Sequence, residues 1–264
     1  MQAFLQAQAP KIAAQVAAAR AKFRKLAKDQ TTAATLAIDE TGLSLEDLAW
    51  INGNILNELD FSEWTTLVAD AEPILEQIVN SQGLAALAQV GIDVEARPEV
   101  MNIVNERAVE YAQARAAELV GMRRDALGNL VANPNAQWQI TDSTREMIRA
   151  DVTKAIEEGW SNDKLAKALK DAYGFSGDRA TMIARTETSI AQKAGAMEGY
   201  RASGVVESKQ WLTAEDDLVE EDCQENADAG VIALEDDFPN GDFPHPNCRC
   251  SIAPVVDFDM PTTH

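Results

Sequence analysis

Apolar residues recur every three to four positions through the first half of the chain, which predicts an almost wholly helical region up to about residue 130. Pro98 is suited to the first turn of one of these helices. Gly83 and Gly91 are expected to bracket a short turn between helices. The apolar stripes of this half predict a packed core, and no chemical motif accompanies them.

Helical periodicity resumes after the turn-forming cluster Asn133-Pro134-Asn135, which is the best candidate for a domain boundary. Ser143 and Glu146 have the spacing of a capping box, so we expect a helix to begin there. Ser161 is expected to cap a second, short helix. A long helix is predicted from about residue 178 to residue 203.

Beyond Gly204 the pattern becomes extended. Residues 205–213 and 251–256 are predicted to be strands that pair antiparallel. The stretch 214–242 between them contains twelve acidic residues and no lysine or arginine. We therefore expect a solvated acidic loop to connect the two strands.

Together these patterns predict an α+β fold that is predominantly helical. The first domain is a helical N-terminal region at 1–135, which begins with a basic amphipathic arm at 1–28. The second, at 136–257, is a module of helices and a small antiparallel sheet, with one loop pinned by cysteine and histidine side chains. A C-terminal tail is assigned to 258–264.

Composition narrows the classes of function. The formal net charge of -20 opposes nonspecific binding to nucleic acid, because the nucleic-acid backbone is itself densely anionic. No run of about 18 apolar residues occurs, so no segment is expected to span a membrane. The N-terminus also lacks the uninterrupted apolar core of a secretory signal, and we expect an intracellular origin.

The charge is unevenly distributed along the chain. Residues 1–28 contain no acidic residue, whereas the remainder has 17 basic against 43 acidic residues. One interpretation is an arm that docks on an acidic partner, on DNA or on a membrane surface. The alternative is an ordinary first helix whose lysines are solvated. The basic residues of the arm are Lys11, Arg20, Lys22, Arg24, Lys25 and Lys28, and its apolar stripe is Ile12, Val16, Ala19, Phe23 and Leu26.

The strongest candidate for chemistry is a group of scarce side chains near the C-terminus. All three cysteines and one of the two histidines fall within 28 residues, in the pattern C-x21-H-x2-C-x-C formed by Cys223, His245, Cys248 and Cys250. Thiolates and imidazole are the ligands that zinc prefers, so these four residues could hold one structural zinc ion. A disulfide from Cys223, or three unlinked thiols packed as small hydrophobic groups, would also account for the cluster.

Two charged residues of the long helix are further candidates. Arg185 and Glu187 are two positions apart and point to different faces of the helix, so they cannot pair with each other. Each is expected to bond to another element. For Glu187 we favour a buried or half-buried structural ion pair over a catalytic role.

These features occur together, and in order, in one known family. The chain resembles the phage Mu F-like head-morphogenesis proteins, also called minor head or minor capsid proteins, over roughly residues 143–256. His-Pro-Asn-Cys-Arg-Cys at 245–250 is the most specific part of the resemblance. The other matching residues are Ile183-Ala184-Arg185-Thr186-Glu187, Ser203-Gly204-Val205, Gln210-Trp211-Leu212-Thr213, Asp216-Asp217 and Cys223.

The resemblance implies a structural protein with no enzymatic activity. It implies a minor head protein of a tailed phage or prophage-derived particle, assembled in the bacterial host cytoplasm and located in the head interior or near the portal. Its expected partners are the portal protein and the scaffold or major capsid protein, with weak or no direct DNA binding except through the basic arm. A role in DNA packaging or ejection is also implied.

One position departs from the pattern of the family. Many relatives carry a C-x-x-C pair, and Glu220 stands where the first of these cysteines would fall. The metal ligands are therefore expected to be Cys223, His245, Cys248 and Cys250. The alternatives from other classes are a metal-dependent hydrolase or transferase, using Glu187 or the acids near Cys223, and a zinc-stabilised nucleic-acid-binding module.

Overall fold

The structure is a computed structural model that describes residues 1–30, 54–137, 139–158 and 160–256. Among these residues the helices are α1 (Gln2–Gln30), α2 (Thr66–Gln89), α3 (Pro98–Glu118), α4 (Ile140–Glu157), α5 (Asn162–Asp171), α6 (Gly177–Ser203) and α7 (Glu221–Asp228). The strands are β1 (Met122–Arg124), β2 (Leu130–Ala132), β3 (Ser208–Leu212), β4 (Val231–Ala233) and β5 (Ser251–Val255). The predicted α+β class with a predominance of helix is confirmed. The expected tail at 258–264 lies outside the described residues.

The chain forms two compact units, each built from two separate segments. Unit 1 comprises Met1–Leu67 and Glu118–Thr181, and unit 2 comprises Val68–Ala117 and Met182–His264. Neither unit follows the boundary expected at 135/136. Asn133 and its neighbours instead follow β2, which pairs antiparallel with β1 inside unit 1.

Unit 1 is organised around α1, and this corrects the interpretation of residues 1–28 as a docking arm. Helix α1 packs against α5 and against the 3-10 turn Tyr173–Phe175. Its apolar stripe is buried at Ile12, Val16, Ala19 and Phe23. Because this stripe contributes to the core of unit 1, it is not available to a partner.

The basic residues of α1 that the structure describes also have partners within unit 1. Lys11 forms a surface salt bridge with Glu63, and Lys22 forms one with Glu58. Arg20 is buried and donates a hydrogen bond to the carbonyl oxygen of Trp160 at 3.0 Å. This arrangement is that of an ordinary first helix. The side chains of Arg24, Lys25, Leu26 and Lys28 lie outside the described residues.

The helix starts of unit 1 follow the predictions in part. Ser161 caps α5, since its hydroxyl accepts a hydrogen bond from the Lys164 N–H at 3.2 Å. The predicted capping box at Ser143 is wrong, because α4 already begins at Ile140. The Ser143 hydroxyl lies inside the helix and bonds instead to the carbonyl oxygens of Gln139 and Ile140.

In unit 2, α2 and α6 approach closely through glycines. A Cβ added at Gly195 would lie 2.4 Å from the carbonyl oxygen of Val79, and one at Gly199 would lie 2.4 Å from the carbonyl oxygen of Gly83. Gly83 therefore lies within α2 and does not begin a turn as predicted. The helix continues to Gln89. The glycine at position 83 is explained by the close packing of the two helices, since it has no Cβ.

We expect Gly199→Ala to destabilise the protein even though alanine is the better helix former. Alanine in place of a helical glycine ordinarily gains about 1 kcal/mol. Here the new methyl group meets backbone, and separating two packed helices costs about 1–3 kcal/mol. Gly177→Ala, in the first turn of the same helix, is the matched control, because its Cβ would meet only the flexible Gln2 side chain. Urea denaturation should show a loss for Gly199→Ala and none for the control; equal stability of the two would contradict the close packing.

Unit 2 also contains a three-stranded antiparallel sheet in the order β4-β3-β5. The predicted pairing of the last two extended segments is confirmed, with Trp211 opposite Ile252 in the register of β3 and β5. The acidic stretch 214–242 is not the plain loop that was expected. It contains helix α7 and strand β4, and β4 pairs with the other edge of β3.

Candidate functional site

The candidate site of unit 2 is built from α6, α7 and the loop that leads into β5. Helix α7 carries Cys223, which is fully buried on the one face of that helix that is not solvated. The loop carries His245 and Cys248, and Cys250 immediately precedes β5. All three cysteines are free and belong to the apolar core that contains Trp211. The three cysteines of the sequence pattern therefore lie in one apolar core.

Three of the four predicted ligands are gathered into a compact group. The ligand atoms of Cys223, His245 and Cys248 all lie within 4.8 Å of one another. Cys223 Sγ is 3.0 Å from His245 Nε2 and 3.6 Å from Cys248 Sγ. Cys250 is outside this group of three, although it is buried in the same apolar core. The group offers two sulfur atoms and one imidazole nitrogen to a metal ion.

The two central thiols differ in their electrostatic surroundings. Burial raises the pKa of Cys223, and the neighbouring thiols of Cys248 and Cys250 raise it further. Burial also acts to raise the pKa of Cys248, but the ammonium of Lys193 outweighs it through charge and a hydrogen bond, so that the pKa of Cys248 is lowered. Of the two, Cys248 is thus the more readily held as a thiolate.

Lys193, on α6, is the residue that the sequence analysis missed. Its side chain is buried, and its Nζ donates a hydrogen bond to Cys248 Sγ at 3.2 Å. The ammonium also lies 4.8 Å from the centre of the Trp211 ring. A signal was present in the sequence, since Lys193 interrupts the apolar stripe of α6 between Ile190 and Met197.

The loop that carries His245 and Cys248 is fixed at two further points. Asn247 adopts a left-handed conformation with a φ of 61°, which asparagine tolerates better than most residues, and its N–H donates to Thr186 Oγ1 at 2.8 Å. Arg249 forms a two-pronged salt bridge with Asp216. This guanidinium, together with the Leu218 N–H, holds the pKa of Asp216 below its ordinary value.

The two charged residues predicted on the long helix behave differently. Glu187 is buried and accepts two hydrogen bonds from Arg115 on α3, at 2.9 Å from Nε and 2.8 Å from Nη2. The predicted structural ion pair of Glu187 is thus confirmed. Its partner could not be found from sequence, because 72 residues separate the two. Arg185 is exposed.

Glu220, the position at which the family resemblance predicts a further cysteine, lies just before α7. It is exposed and occupies the N-cap position of that helix. Its side chain makes no capping hydrogen bond. Within the described residues, the Cys/His group is therefore formed without a contribution from this position.

These contacts define a helix-and-sheet module whose C-terminal loop is cross-linked to its neighbours by side chains. Residues 146–253, which contain this module, match the family model described as Phage Mu protein F like protein. The resemblance inferred from sequence is thereby confirmed over this segment.

A curated relative gives a second comparison. The protein named "Uncharacterized protein YqbB" of Bacillus subtilis (strain 168) is 31% identical over 133 residues, which cover 44% of this chain and 43% of that protein. The chain thus spans less than half the length of this relative. No solved structure matches the chain. None of the described helices combines the length and the apolar character needed to cross a bilayer.

Proposed function

We propose that the chain is a structural minor head protein of a tailed phage or a prophage-derived particle. The observation that carries this proposal is the family match over residues 146–253, which includes the whole Cys/His group. In this role the protein acts during head assembly through contacts with the portal protein and with the scaffold or major capsid protein. It resides in the head interior or near the portal, and it assists DNA packaging or ejection.

The contacts of the family residues support a structural role. Thr186 anchors the loop at Asn247, Asp216 pairs with Arg249, and Glu187 pairs with Arg115. Each of these pairs joins elements that are far apart in the sequence. Residues with this arrangement stabilise the fold, which is a structural role.

The distribution of charge supports the proposal that the chain binds DNA weakly or not at all. Unit 1 carries 15 basic and 18 acidic residues, whereas unit 2 carries 8 basic and 25 acidic residues. Three of the basic residues of unit 2 are buried, namely Arg115, Lys193 and Lys209. The surface of unit 2 is therefore strongly anionic and resists collapse onto packaged DNA. In unit 1, pairing of Lys11 and Lys22 with glutamates also weakens the case for DNA binding by α1.

A metal-dependent hydrolase or transferase remains the alternative from another class, with Glu187 as its catalytic carboxylate. Both oxygens of Glu187 accept hydrogen bonds from Arg115 in a buried position. A general base needs an oxygen that can reach a substrate proton. Because both of its oxygens are bonded to Arg115, Glu187 is better suited to a structural role than to that of a general base.

Co-assembly tests the proposal. The chain, tagged after its last residue, is expressed together with the head genes of the genome that encodes it, and particles are purified by sedimentation. We expect the chain to sediment with the particles in few copies relative to the major capsid protein, and to capture the portal, scaffold or coat protein. A tagged, unrelated protein of similar net charge is the control for nonspecific adsorption. Recovery of the chain only in the particle-free fraction, with no head component bound, would contradict the proposal.

A further inference from the structure

The distances within the Cys/His group match those of a tetrahedral zinc site. Zinc–sulfur bonds of about 2.3 Å and zinc–nitrogen bonds of about 2.0–2.1 Å place two thiolates about 3.8 Å apart, and a sulfur and a nitrogen about 3.5 Å apart. Cys223 Sγ is 3.6 Å from Cys248 Sγ and 3.0 Å from His245 Nε2. Shifts of about half an ångström or less therefore accommodate a zinc ion between these atoms.

The imidazole of His245 is held in the tautomer that a metal requires. His245 Nδ1 lies 2.9 Å from the carbonyl oxygen of Pro246. A carbonyl oxygen can only accept a hydrogen bond, so Nδ1 carries the proton. The lone pair of the neutral ring is consequently on Nε2, the atom that faces Cys223. A backbone carbonyl that fixes the ring in this way is the usual outer-shell partner of a metal-bound histidine.

Cys250 is the natural fourth ligand. It is buried in the same apolar core as Cys223 and Cys248, and it is two residues from Cys248. The other histidine of the chain, His264, lies outside the described residues. Three sulfurs and one nitrogen fill a tetrahedral site completely, and such closed sites are structural.

Lys193 is a buried cation beside this group. A buried ammonium is costly unless a negative group compensates it. Among the described residues, no carboxylate forms a salt bridge with Lys193, and the hydrogen bond of its ammonium is to Cys248 Sγ at 3.2 Å. Lys209, the other buried lysine of unit 2, has instead a carboxylate partner, with its Nζ 3.5 Å from Asp242 Oδ1. The contrast assigns to Cys248 the role that Asp242 has for Lys209.

We propose that Cys223, His245, Cys248 and Cys250 bind one Zn²⁺ ion in a closed structural site, and that Lys193 is the cation that balances its charge. Zn²⁺ with three thiolates and a neutral imidazole has a net charge of minus one. The ammonium of Lys193 neutralises that charge inside the core. This accounts for both the buried cluster of ligands and the buried lysine, and it does not depend on the proposed role in the phage head.

The site ties together three parts of unit 2 that are far apart in the sequence. Cys223 comes from the acidic helix α7, the other ligands come from the loop and the start of β5, and Lys193 comes from α6. Because α7 has only one buried apolar position, a metal bond is a strong local restraint on it.

Metal analysis of the reduced protein tests the site. We expect about one zinc per chain, and a lower melting temperature after removal of zinc by a chelator. Replacement by Co²⁺ should give the ligand-field absorption of a tetrahedral ion and an intense sulfur-to-cobalt charge-transfer band. In Cys250→Ser this band should weaken, because three thiolates become two. A reduced protein that binds neither Zn²⁺ nor Co²⁺ would overturn the proposal, as would a disulfide found by thiol counting in protein purified without reductant.

The role of Lys193 has a separate test. Competition with a chromogenic zinc chelator should show that Lys193→Met weakens zinc binding by about 10- to 100-fold, the usual effect of losing an outer-shell partner. Lys209→Met is the matched control, because it removes an equally buried lysine whose partner is Asp242. It should lower stability and leave the zinc affinity unchanged. Equal zinc affinities of wild type and Lys193→Met would overturn the charge-balancing role, and equal losses in both variants would show that the effect is one of stability alone.

Discussion

Replacement of Arg115 by methionine is expected to lower the free energy of unfolding by about 3–5 kcal/mol, because it leaves the Glu187 carboxylate buried without its guanidinium partner. The free-energy cost of removing an ion from water is offset only while the opposite charge is present. Urea denaturation at constant pH, followed by tryptophan fluorescence, measures the loss. The fold of the variant is checked by circular dichroism before the two curves are compared.

A double variant separates the cost of leaving the Glu187 charge unpaired from the cost of losing the packing of the Arg115 side chain. In Arg115→Met/Glu187→Met no buried charge remains at this pair, so most of the lost stability should return. If the double variant is no more stable than Arg115→Met alone, packing of the arginine side chain accounts for the loss, and the buried charge of Glu187 does not.

The elements of the family module that could be predicted from sequence are those with strong local signals. The long helix α6 (Gly177–Ser203) has a continuous apolar stripe and ends before Gly204, which takes a positive φ of 68°. The pairing of β3 with β5 follows from two extended segments on either side of a polar stretch. The Cys/His group was also predictable, because its residue types are scarce and lie close together in sequence.

Helix α7 could not be predicted because its interactions are almost entirely polar. Its buried residues are Cys223 and Asn226, so it has no apolar stripe. Asn226 anchors the helix to the following loop. Its side chain donates to the Gly241 carbonyl at 2.8 Å and accepts from the Asn240 N–H at 2.9 Å. Bonds of this kind depend on chain segments that only the fold brings together.

Gly83 was misinterpreted for a related reason. Glycine in a sequence indicates either a turn or a place where two backbones approach closely, and the local pattern does not distinguish the two. The reason for Gly83 is found in helix α6, at Gly195 and Gly199, more than 100 residues away. Lys193 and Arg115 share this property, because their partners are distant in sequence.

The interpretation of residues 1–28 failed because charge and amphipathicity are the same for a docking arm and for an ordinary first helix. A narrow apolar stripe shows that a helix packs on something, but it does not identify the partner. In the structure the partner is α5, whose Leu165 and Leu169 are buried in the same unit.

Ile12→Asp is therefore expected to destabilise the isolated protein by roughly 3–5 kcal/mol, the range for a buried charge without a partner. Ile12 belongs to the stripe and is 1% exposed, so the carboxylate would have almost no access to water. Ala18→Asp is the matched control, because Ala18 is exposed on the same helix. It should cost about 1 kcal/mol or less, from helix propensity alone. Chemical denaturation of the purified chain, with no partner present, measures both. A docking arm that is free in the isolated protein would give equally small losses for the two variants, and that result would restore the partner-binding role of residues 1–28.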